Sequence, residues 1–372
     1  MKISYIVLKG MPLGGGIEKY TEEIGSRLVE RGHDIAVYAM GHYGAENGIY
    51  KGMKIRIIPT LKSRSLEKLF ASFIATVRHC FGDNGKDLVH YHAFGPSMFN
   101  FIPRFLGRKV IVQGHGLEWK RSKWALSGRM FLKLSERPSV KFPHKLTVVS
   151  KVQQKYLQDR YGIKSVYIPT GVNPAQIAAP DLIKQYGLQG KDYILFAARL
   201  VREKGAHYLI EAYKRLKTDI KLVIAGDAQH EEEYKSQLYD LAGGNNNIIF
   251  TGFVTGRLLH ELFSNCRLFV LPSEIEGLPT ALLEAMSYGS TCLASNIPEN
   301  LEALNGFGYT FRNKDTDDLE NKIKFLINNT IDNELAKKGK HYVLENHSWD
   351  NITDKFEELY TTVMNGEAYA FN

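Results

Sequence analysis

Two glutamates in the run EGLPTALLE, Glu276 and Glu284, are the side chains whose type and spacing best suit chemistry. The apolar run Leu268–Leu271 predicts a strand just before them, and Pro279 fits the first turn of a helix that continues to Tyr288. Two carboxylates at one strand end can accept hydrogen bonds from hydroxyl groups, so the pair predicts a hydroxyl-rich ligand. Glu284 taken alone is equally typical of an exposed helix glutamate.

The start of the same helix is suited to an anion. The backbone N–H groups of Gly277, Leu278 and Thr280 are expected near the helix N-terminus. The first amides of a helix lack intrahelical partners and carry partial positive charge, which favours a phosphate or a sugar oxygen.

Two cations follow another predicted strand, Tyr193–Ala197. They are Arg199 and Lys204, in the stretch RLVREKG. Ligands of open α/β sheets bind outside the carboxyl ends of the strands, where these two side chains are expected. A guanidinium and an ammonium suit a diphosphate. A basic loop at a strand end is also common on ordinary protein surfaces.

Three consecutive glycines, Gly14–Gly16, separate the predicted strand Lys2–Leu8 from the predicted helix Ile17–Arg31. Glycine lets the backbone approach a ligand closely, and a following helix presents its N–H groups to an anion. Consecutive glycines do not match the spacing of the dinucleotide or P-loop motifs. A tight strand-to-helix turn is an equally good interpretation.

Strands and helices alternate along both halves of the chain, which predicts parallel sheets covered on both faces. The turn-rich segment Ile168–Pro174 predicts a linker between two doubly wound α/β domains, 1–170 and 171–348, and 349–372 predicts a closing helix. The remaining predicted strands are Asp34–Ala39, Lys54–Ile58, Asp87–Tyr91, Lys109–Val112, Lys145–Val149, Lys221–Ala225 and Ile248–Phe250.

Length and composition fit a globular enzyme of two domains. The chain has 372 residues and three cysteines, which have no metal-like spacing and are expected to be reduced thiols. No secretory signal is evident, and no uninterrupted apolar stretch is long enough to span a membrane. These features predict a cytoplasmic protein that does not cross a membrane.

Charge is divided unevenly. Residues 1–172 hold 28 Lys and Arg against 12 Asp and Glu, whereas the rest hold 20 against 28. Basic residues alternate with Trp119, Trp124, Met130, Phe131 and Leu132 within 119–145. This pattern predicts a peripheral contact with an anionic membrane surface, on the inner face of the cell membrane, or with a pyrophosphate-bearing acceptor. A core helix with a solvated basic face is the alternative.

With these motifs in place, the chain resembles glycosyltransferase family 4. The resemblance rests on Arg199 and Lys204 followed by Glu276 and Glu284, and on the runs GGGIEKYTEEIG, DLVHYH, QGHGLEW, VIAGD, FTGFV and EGLPTALLEAMSYG. It implies the GT-B fold, in which two Rossmann-like domains face each other across a cleft and a C-terminal helix returns to the N-terminal domain. It also implies sugar transfer with retention of configuration.

The resemblance assigns roles position by position. Arg199 and Lys204 would hold the donor diphosphate, Glu276 the donor sugar and Glu284 the ribose. The remaining assignments are the backbone from Gly277 to Pro279 and Thr280 near the donor, Phe253 and Val254 beside the nucleobase, Gly15 and Gly16 near the phosphates, and His115 near the reacting sugar.

The resemblance implies a nucleotide-sugar donor and no metal or other cofactor. His90 and His92 are not expected to be metal ligands, because zinc needs three or four convergent ligands; one of them is expected to point into the core. The stretch EWKRSKW resembles bacterial enzymes of surface-polysaccharide assembly, which implies a glycan or lipid-linked acceptor. Two alternatives stay open: a sugar-nucleotide epimerase of the same architecture, and a basic nucleic-acid-binding protein. The absence of a known nucleic-acid-binding motif from the sequence argues against the second.

Overall fold

The chain divides into two compact units. The computed structural model describes residues 1–6, 9–11, 15–44, 46–60, 67–82, 87–117, 119, 126–228, 231–329 and 333–367. Unit 1 comprises Met1–Gly171 and Trp349–Asn372, and unit 2 comprises Val172–Ser348. Each unit is built on one sheet whose strands alternate with helices. The predicted pair of α/β domains is therefore confirmed.

Unit 1 contains an eight-stranded sheet within the described residues. Its strands are β1 (Lys2–Ile6), β2 (Asp34–Met40), β3 (Gly48–Tyr50), β4 (Met53–Ile58), β5 (Leu88–His92), β6 (Lys109–Gly114), β7 (Lys145–Val148) and β8 (Val166–Tyr167). Their order is β3-β4-β2-β1-β5-β6-β7-β8, and only β3 runs antiparallel to its neighbour. β1, β5 and β6 are adjacent and parallel, so their carboxyl ends meet at one sheet edge.

Five α-helices alternate with these strands within the described part of unit 1. Along the chain they are α1 (Gly16–Glu30), α2 (Glu67–Phe81), α3 (Phe101–Phe105), α4 (Leu126–Lys141) and α5 (Lys151–Tyr161). In α1 the buried side chains include Tyr20, Ile24 and Leu28, which recur at helical spacing. Ser150 begins α5 by accepting a hydrogen bond from the Gln153 amide at 3.2 Å.

Unit 2 contains six parallel strands among the residues described. They are β9 (Tyr193–Ala197), β10 (Lys221–Ala225), β11 (Ile248–Gly252), β12 (Leu268–Leu271), β13 (Cys292–Ser295) and β14 (Tyr309–Phe311). The order β11-β10-β9-β12-β13-β14 places β10 and β11 on one side of β9 and the three later strands on the other side. This reversal of strand order opens a crevice beside β9, where doubly wound sheets bind ligands.

The helices of unit 2 are α6 (Ala206–Arg215), α7 (Glu232–Ala242), α8 (Gly256–Asn265), α9 (Thr280–Ser287), α10 (Pro298–Leu304), α11 (Thr316–Asn328) and α12 (Asn333–Asn346). The core contains side chains such as Phe196, Leu222 and Val270, which are fully buried. Strands buried on both faces have continuous apolar sequences, which is why β9, β10 and β12 have the predicted bounds.

The chain returns to unit 1 through α13 (Trp349–Asn365), which packs on α1. Phe356 and Tyr360 of α13 are fully buried. The Tyr360 hydroxyl lies 2.9 Å from the Tyr5 hydroxyl and 2.7 Å from His90 Nδ1. This buried polar contact ties α13 to β1 and β5 and adds specificity to an otherwise apolar interface.

Candidate active site

A cavity of unit 2 lies at the carboxyl ends of β9, β10 and β11. Its volume is about 380 Å³. Four of its lining residues were predicted as site residues: Arg199, Phe253, Val254 and Glu284. The cavity is also lined by Ala197, Ala198, Ala225, Gly226, Asp227, Ala228, Leu259 and Phe263. Residues from five separate chain segments thus meet at the predicted sheet edge.

The loop after β9 is held by backbone hydrogen bonds to the loop after β10. The Ala198 amide donates to the Ala225 carbonyl at 3.1 Å, and the Leu200 amide donates to the Asp227 carbonyl at 3.0 Å. These bonds bracket Arg199, which lines the cavity between them. The backbone position of Arg199 is therefore fixed by hydrogen bonds between the ends of two neighbouring strands.

A second backbone contact joins the loops after β9 and β12, which are neighbours in the sheet. The Glu274 amide donates to the Glu203 carbonyl at 2.8 Å. Gly205 has a positive φ of 71°, and a Cβ there would clash with the Pro272 carbonyl oxygen. Only glycine therefore permits the two loops to approach this closely.

Lys204 and Glu276 project from these two loops and form an ion pair. Lys204 Nζ donates to Glu276 Oε1 at 2.5 Å and to Oε2 at 2.7 Å. The side chain of Lys204 is 16% exposed and that of Glu276 is 6% exposed. The structure thus brings together two predicted residues that are 72 positions apart in the sequence.

Helix α9 begins immediately after the Glu276 loop. Pro279 caps it rather than forming its first turn, and the Leu282 amide donates to the Pro279 carbonyl at 3.0 Å. Glu284 lies one turn into the helix and lines the cavity. The segment from Gly277 to Thr280 leads into the helix N-terminus, which favours negative charge on a ligand.

Gly226 and Asp227 line the cavity although neither was predicted as a site residue. A Cβ on Gly226 would clash with the Ala198 carbonyl oxygen, so glycine allows β10 to end against the loop after β9. Asp227 Oδ1 accepts hydrogen bonds from Lys235 Nζ at 2.6 Å and from the Ala228 amide at 2.8 Å. The hydrogen bond from Lys235 lowers the pKa of Asp227. The run VIAGD was the available signal.

Leu259 and Phe263 of α8 also line the cavity without having been predicted. Their spacing of four residues is that of any core-facing helix, so nothing in their type distinguishes a ligand-facing residue from a core residue. Phe253 is 61% exposed at the end of β11, which suits a planar ligand resting against its ring.

In unit 1, Gly15 and Gly16 lie at the start of α1, and Gly14 falls outside the described residues. Gly15 is the N-cap residue with extended backbone. The carboxylate of Glu18 fills the space that a Cβ on Gly15 would occupy, and Glu18 is 5% exposed. A carboxylate therefore already stands beside the helix N-terminus that the sequence assigned to a phosphate.

His115 follows β6 directly and is partly exposed. Its Nε2 lies 2.8 Å from Nδ1 of His92, the last residue of the adjacent β5. His92 is fully buried, and burial holds its pKa well below the usual range, so its imidazole is neutral. A neutral His92 lets one ring donate and the other accept in this bond.

The expectation that only one of His90 and His92 points into the core is wrong. Both are buried, and their rings stack with centroids 4.5 Å apart. Residues two apart on a strand share a face, which explains their contact. Burial keeps the pKa of His90 low as well. Within the described ranges, no group of three or more His, Cys, Asp and Glu could hold a metal ion.

The predicted membrane segment, 119–145, is described at 119 and from 126 onward. Leu126, Met130 and Leu134 of α4 recur every four residues and are 82%, 62% and 60% exposed. Exposed basic residues follow the same spacing beside them: Arg129, Lys133, Arg137 and Lys141. The helix is thus amphipathic with an apolar stripe facing outward. Among the helices described, none is long and apolar enough to cross a bilayer.

The opposite face of α4 is packed on unit 1. Ser139 Oγ donates to the Phe94 carbonyl at 2.6 Å, and the Asn100 side chain donates to the Ser139 carbonyl at 3.1 Å. Glu136 on this face is buried, which raises its pKa. Only the outer face of the helix is available to a partner.

Comparison with known proteins assigns both halves of the chain. Residues 14–176 match the family model "Glycosyltransferase Family 4", and residues 179–343 match "Glycosyl transferases group 1". Together the two matches cover most of the chain, and α13 lies outside both.

Relatives match over almost the full length of the chain. An uncharacterized glycosyltransferase of Methanocaldococcus jannaschii is 24% identical over 98% of this chain and 99% of its own. The GDP-mannose-dependent alpha-(1-6)-phosphatidylinositol monomannoside mannosyltransferase of Mycolicibacterium smegmatis is 24% identical, covering 94% and 95%. The UDP-Gal:alpha-D-GlcNAc-diphosphoundecaprenol alpha-1,3-galactosyltransferase of Escherichia coli is 24% identical, covering 97% and 96%.

Solved structures share the fold. Sucrose-phosphate synthase from Thermosynechococcus elongatus has a TM-score of 0.85 at 18% identity, covering 98% of this chain and 99% of that one. HepE of Anabaena, in complex with UDP and glucose, has a TM-score of 0.80 at 19% identity, covering 97% and 100%. The predicted GT-B fold is confirmed by these similarities.

The tight approach at Gly226 gives a testable prediction. We expect Gly226→Ala to destabilise the protein by about 1–3 kcal/mol more than Gly244→Ala, because only the first methyl group meets a carbonyl oxygen. Gly244 also has a positive φ, 71° against 152° at Gly226, and its Cβ would meet nothing within 4 Å, so it is the control for replacing a glycine of positive φ in open space. Thermal unfolding of both variants measures the difference; equal loss would show that the close approach is not a constraint.

Proposed function

Since the chain belongs to glycosyltransferase family 4, we propose that it transfers a glycosyl group from a nucleotide sugar to a hydroxyl of a glycan or lipid-linked acceptor. The observation that carries the proposal is the convergence of two cations and two carboxylates at one sheet edge of unit 2. Arg199 and Glu284 line the cavity there, and Lys204 and Glu276 form an ion pair in the loops after β9 and β12.

Each part of the donor has a suitable partner in this site. Arg199 and Lys204 bind the diphosphate, aided by the N-terminus of α9. Glu276 accepts hydrogen bonds from hydroxyls of the sugar, and Glu284 accepts them from the ribose. Phe253 and Val254 contact the nucleobase, which suits an exposed aromatic ring at the cavity.

Three further assignments, His115, Gly15 and Gly16, lie in unit 1. His115 is proposed to contact the reacting sugar, where its bond to the neutral His92 fixes the orientation of its ring. Gly15 and Gly16 are proposed to lie near a phosphate. The Glu18 carboxylate, which is buried beside Gly15, would repel that phosphate and therefore has to move or to point away from it when it binds.

The proposed reaction retains the configuration at the anomeric carbon and uses no metal. The bond between that carbon and the diphosphate oxygen breaks, and the acceptor oxygen forms the new bond on the same face. The acceptor proton passes to the departing diphosphate, whose growing negative charge Arg199 and Lys204 stabilise. Fixed cations do this effectively because they need no reorganisation during the reaction.

A lipid-linked acceptor fits the outward face of α4. The exposed stripe Leu126, Met130 and Leu134 can enter the boundary of a bilayer while the basic residues beside it contact anionic headgroups. Two of the relatives named above carry lipid acceptors in their names, phosphatidylinositol monomannoside and a diphosphoundecaprenol-linked sugar. We therefore place the protein in the synthesis of a bacterial cell-surface polysaccharide, in peripheral contact with the membrane.

The diphosphate assignment predicts the effect of Lys204→Ala. We expect turnover of a nucleotide sugar to fall by about 10²–10³-fold while the fold survives, because a preorganised cation is lost. Arg202→Ala is the matched control, since Arg202 lies in the same turn but bonds to the Gln237 side chain at the surface. Steady-state kinetics and circular dichroism test both variants. Full activity of Lys204→Ala would contradict the assignment.

The membrane assignment predicts the effect of charges on the apolar stripe. We expect Met130→Glu combined with Leu134→Glu to weaken binding to phosphatidylglycerol vesicles about tenfold or more at low salt. Phe325→Glu, on the 57% exposed Phe325 of α11 in unit 2, is the control and leaves binding unchanged. Vesicle flotation measures all three proteins. No flotation of the unmodified chain would remove the membrane contact from the proposal.

A further inference from the structure

The ion pair between Lys204 and Glu276 joins two groups that the donor would use separately. We propose that Glu276 is the counter-ion of Lys204 in the ligand-free protein and that donor binding exchanges this pair. Lys204 then binds the diphosphate, and the sugar hydroxyls donate hydrogen bonds to the Glu276 carboxylate. Glu276 thereby favours the intact nucleotide sugar over the spent nucleoside diphosphate. The inference rests on the proposed function, in which Lys204 binds phosphate.

Burial makes the pairing obligatory in the absence of a ligand. Both oxygens of Glu276 accept from Lys204 Nζ, at 2.5 and 2.7 Å, and only 6% of the Glu276 side chain is exposed. A carboxylate with so little access to water is costly unless a cation or hydrogen-bond donors compensate it. Any ligand that removes Lys204 must therefore supply donors to Glu276, or leave its charge uncompensated.

The exchange needs no movement of the backbone. The Glu203–Glu274 hydrogen bond and the close approach of Gly205 to Pro272 hold the loop around Lys204 against the segment that leads to Glu276. Lysine carries its ammonium on a flexible four-carbon stem, so rotation of the Lys204 side chain alone can carry Nζ from a carboxylate to a phosphate. The carboxylate stays in place to meet the sugar.

Intact donor and spent product then face different costs. A nucleotide sugar brings hydroxyl groups that donate to Glu276 when Lys204 leaves it. A nucleoside diphosphate has no donor sugar and so lacks these hydroxyl groups. When Lys204 binds its phosphates, the Glu276 carboxylate therefore loses the ammonium group without gaining another hydrogen-bond donor. Once the sugar has been transferred, the return of Lys204 to Glu276 weakens the hold on the product. Product release is a common slow step of enzymes, so this exchange would speed turnover.

A nearby carboxylate provides a matched control. Glu274 lies on the same loop, two positions before Glu276, and its side chain is 18% exposed. Its Oε1 accepts from the Tyr208 hydroxyl at 3.0 Å, and its Oε2 pairs with Lys314 Nζ at 2.6 Å. Its charge is thus compensated by groups other than Lys204.

Calorimetric titration with UDP, GDP and ADP, each alone, tests the exchange. We expect Glu276→Gln to tighten binding of the preferred diphosphate about fivefold or more, because Lys204 is released from its counter-ion. The same variant weakens binding of the corresponding nucleotide sugar. Glu274→Gln changes neither affinity by more than about twofold. In the Lys204→Ala background, Glu276→Gln no longer tightens diphosphate binding.

The outcomes separate this inference from the proposed function. If Lys204→Ala weakens diphosphate binding but Glu276→Gln does not strengthen it, the counter-ion exchange is overturned and the diphosphate role of Lys204 stands. If Lys204→Ala has no effect, or if no diphosphate binds the unmodified chain, both fail. Should Glu276→Gln unfold, Glu276→Ala tests the same exchange, because it also removes the charge.

Discussion

Lys204 and Glu276 can meet only because β9 and β12 are parallel neighbours whose carboxyl ends reach the same sheet edge. The loops that follow these strands are joined by a backbone hydrogen bond and by a glycine that no larger residue could replace. This close joining sets the position of the ion pair and of the N-terminus of α9. The cavity beside Arg199 depends on the same edge, since β10 closes it through Gly226.

The two units differ in the chemistry that they present. Unit 2 gathers cations, carboxylates and a helix N-terminus around one cavity, a combination suited to a nucleotide sugar. Unit 1 carries buried histidines at its sheet edge and an outward apolar stripe on α4, with basic residues beside it. The charge of the two halves is also uneven, with an excess of Lys and Arg in residues 1–172 and an excess of Asp and Glu in the rest.

Much of this arrangement could be predicted because buried parallel strands have distinctive sequences. β9, β10 and β12 are continuous apolar runs and begin and end where predicted. β3 and β8 have only three and two residues, and β3 is exposed over most of its length, so neither has an apolar period to detect. The four residues of β13, Cys-Leu-Ala-Ser, contain no β-branched or aromatic side chain.

Within the site, charged residues could be found and small or apolar ones could not. Arg199, Lys204, Glu276 and Glu284 could be named because their order and spacing resemble glycosyltransferase family 4, although each charge taken alone is common on protein surfaces. The contact between Lys204 and Glu276 depends on strand order, which composition and periodicity do not determine. Ala198 and Gly226 contribute to the cavity through the path of their backbone, which residue type does not reveal. Leu259 and Phe263 have the type and spacing of ordinary core residues. The hydrogen bonds from Lys204 to Glu276 were not predicted from the sequence and are evident only in the structure.

The proposed function requires that a nucleoside diphosphate binds at the sheet edge of unit 2. Amide hydrogen exchange, followed by mass spectrometry with and without a saturating diphosphate, tests this binding because it locates the ligand without any substitution. We expect slower exchange in peptides that cover 199–205 and 272–284, where the two loops and the start of α9 lie. Unchanged exchange in both peptides, with protection confined to 87–117 of unit 1, would contradict it.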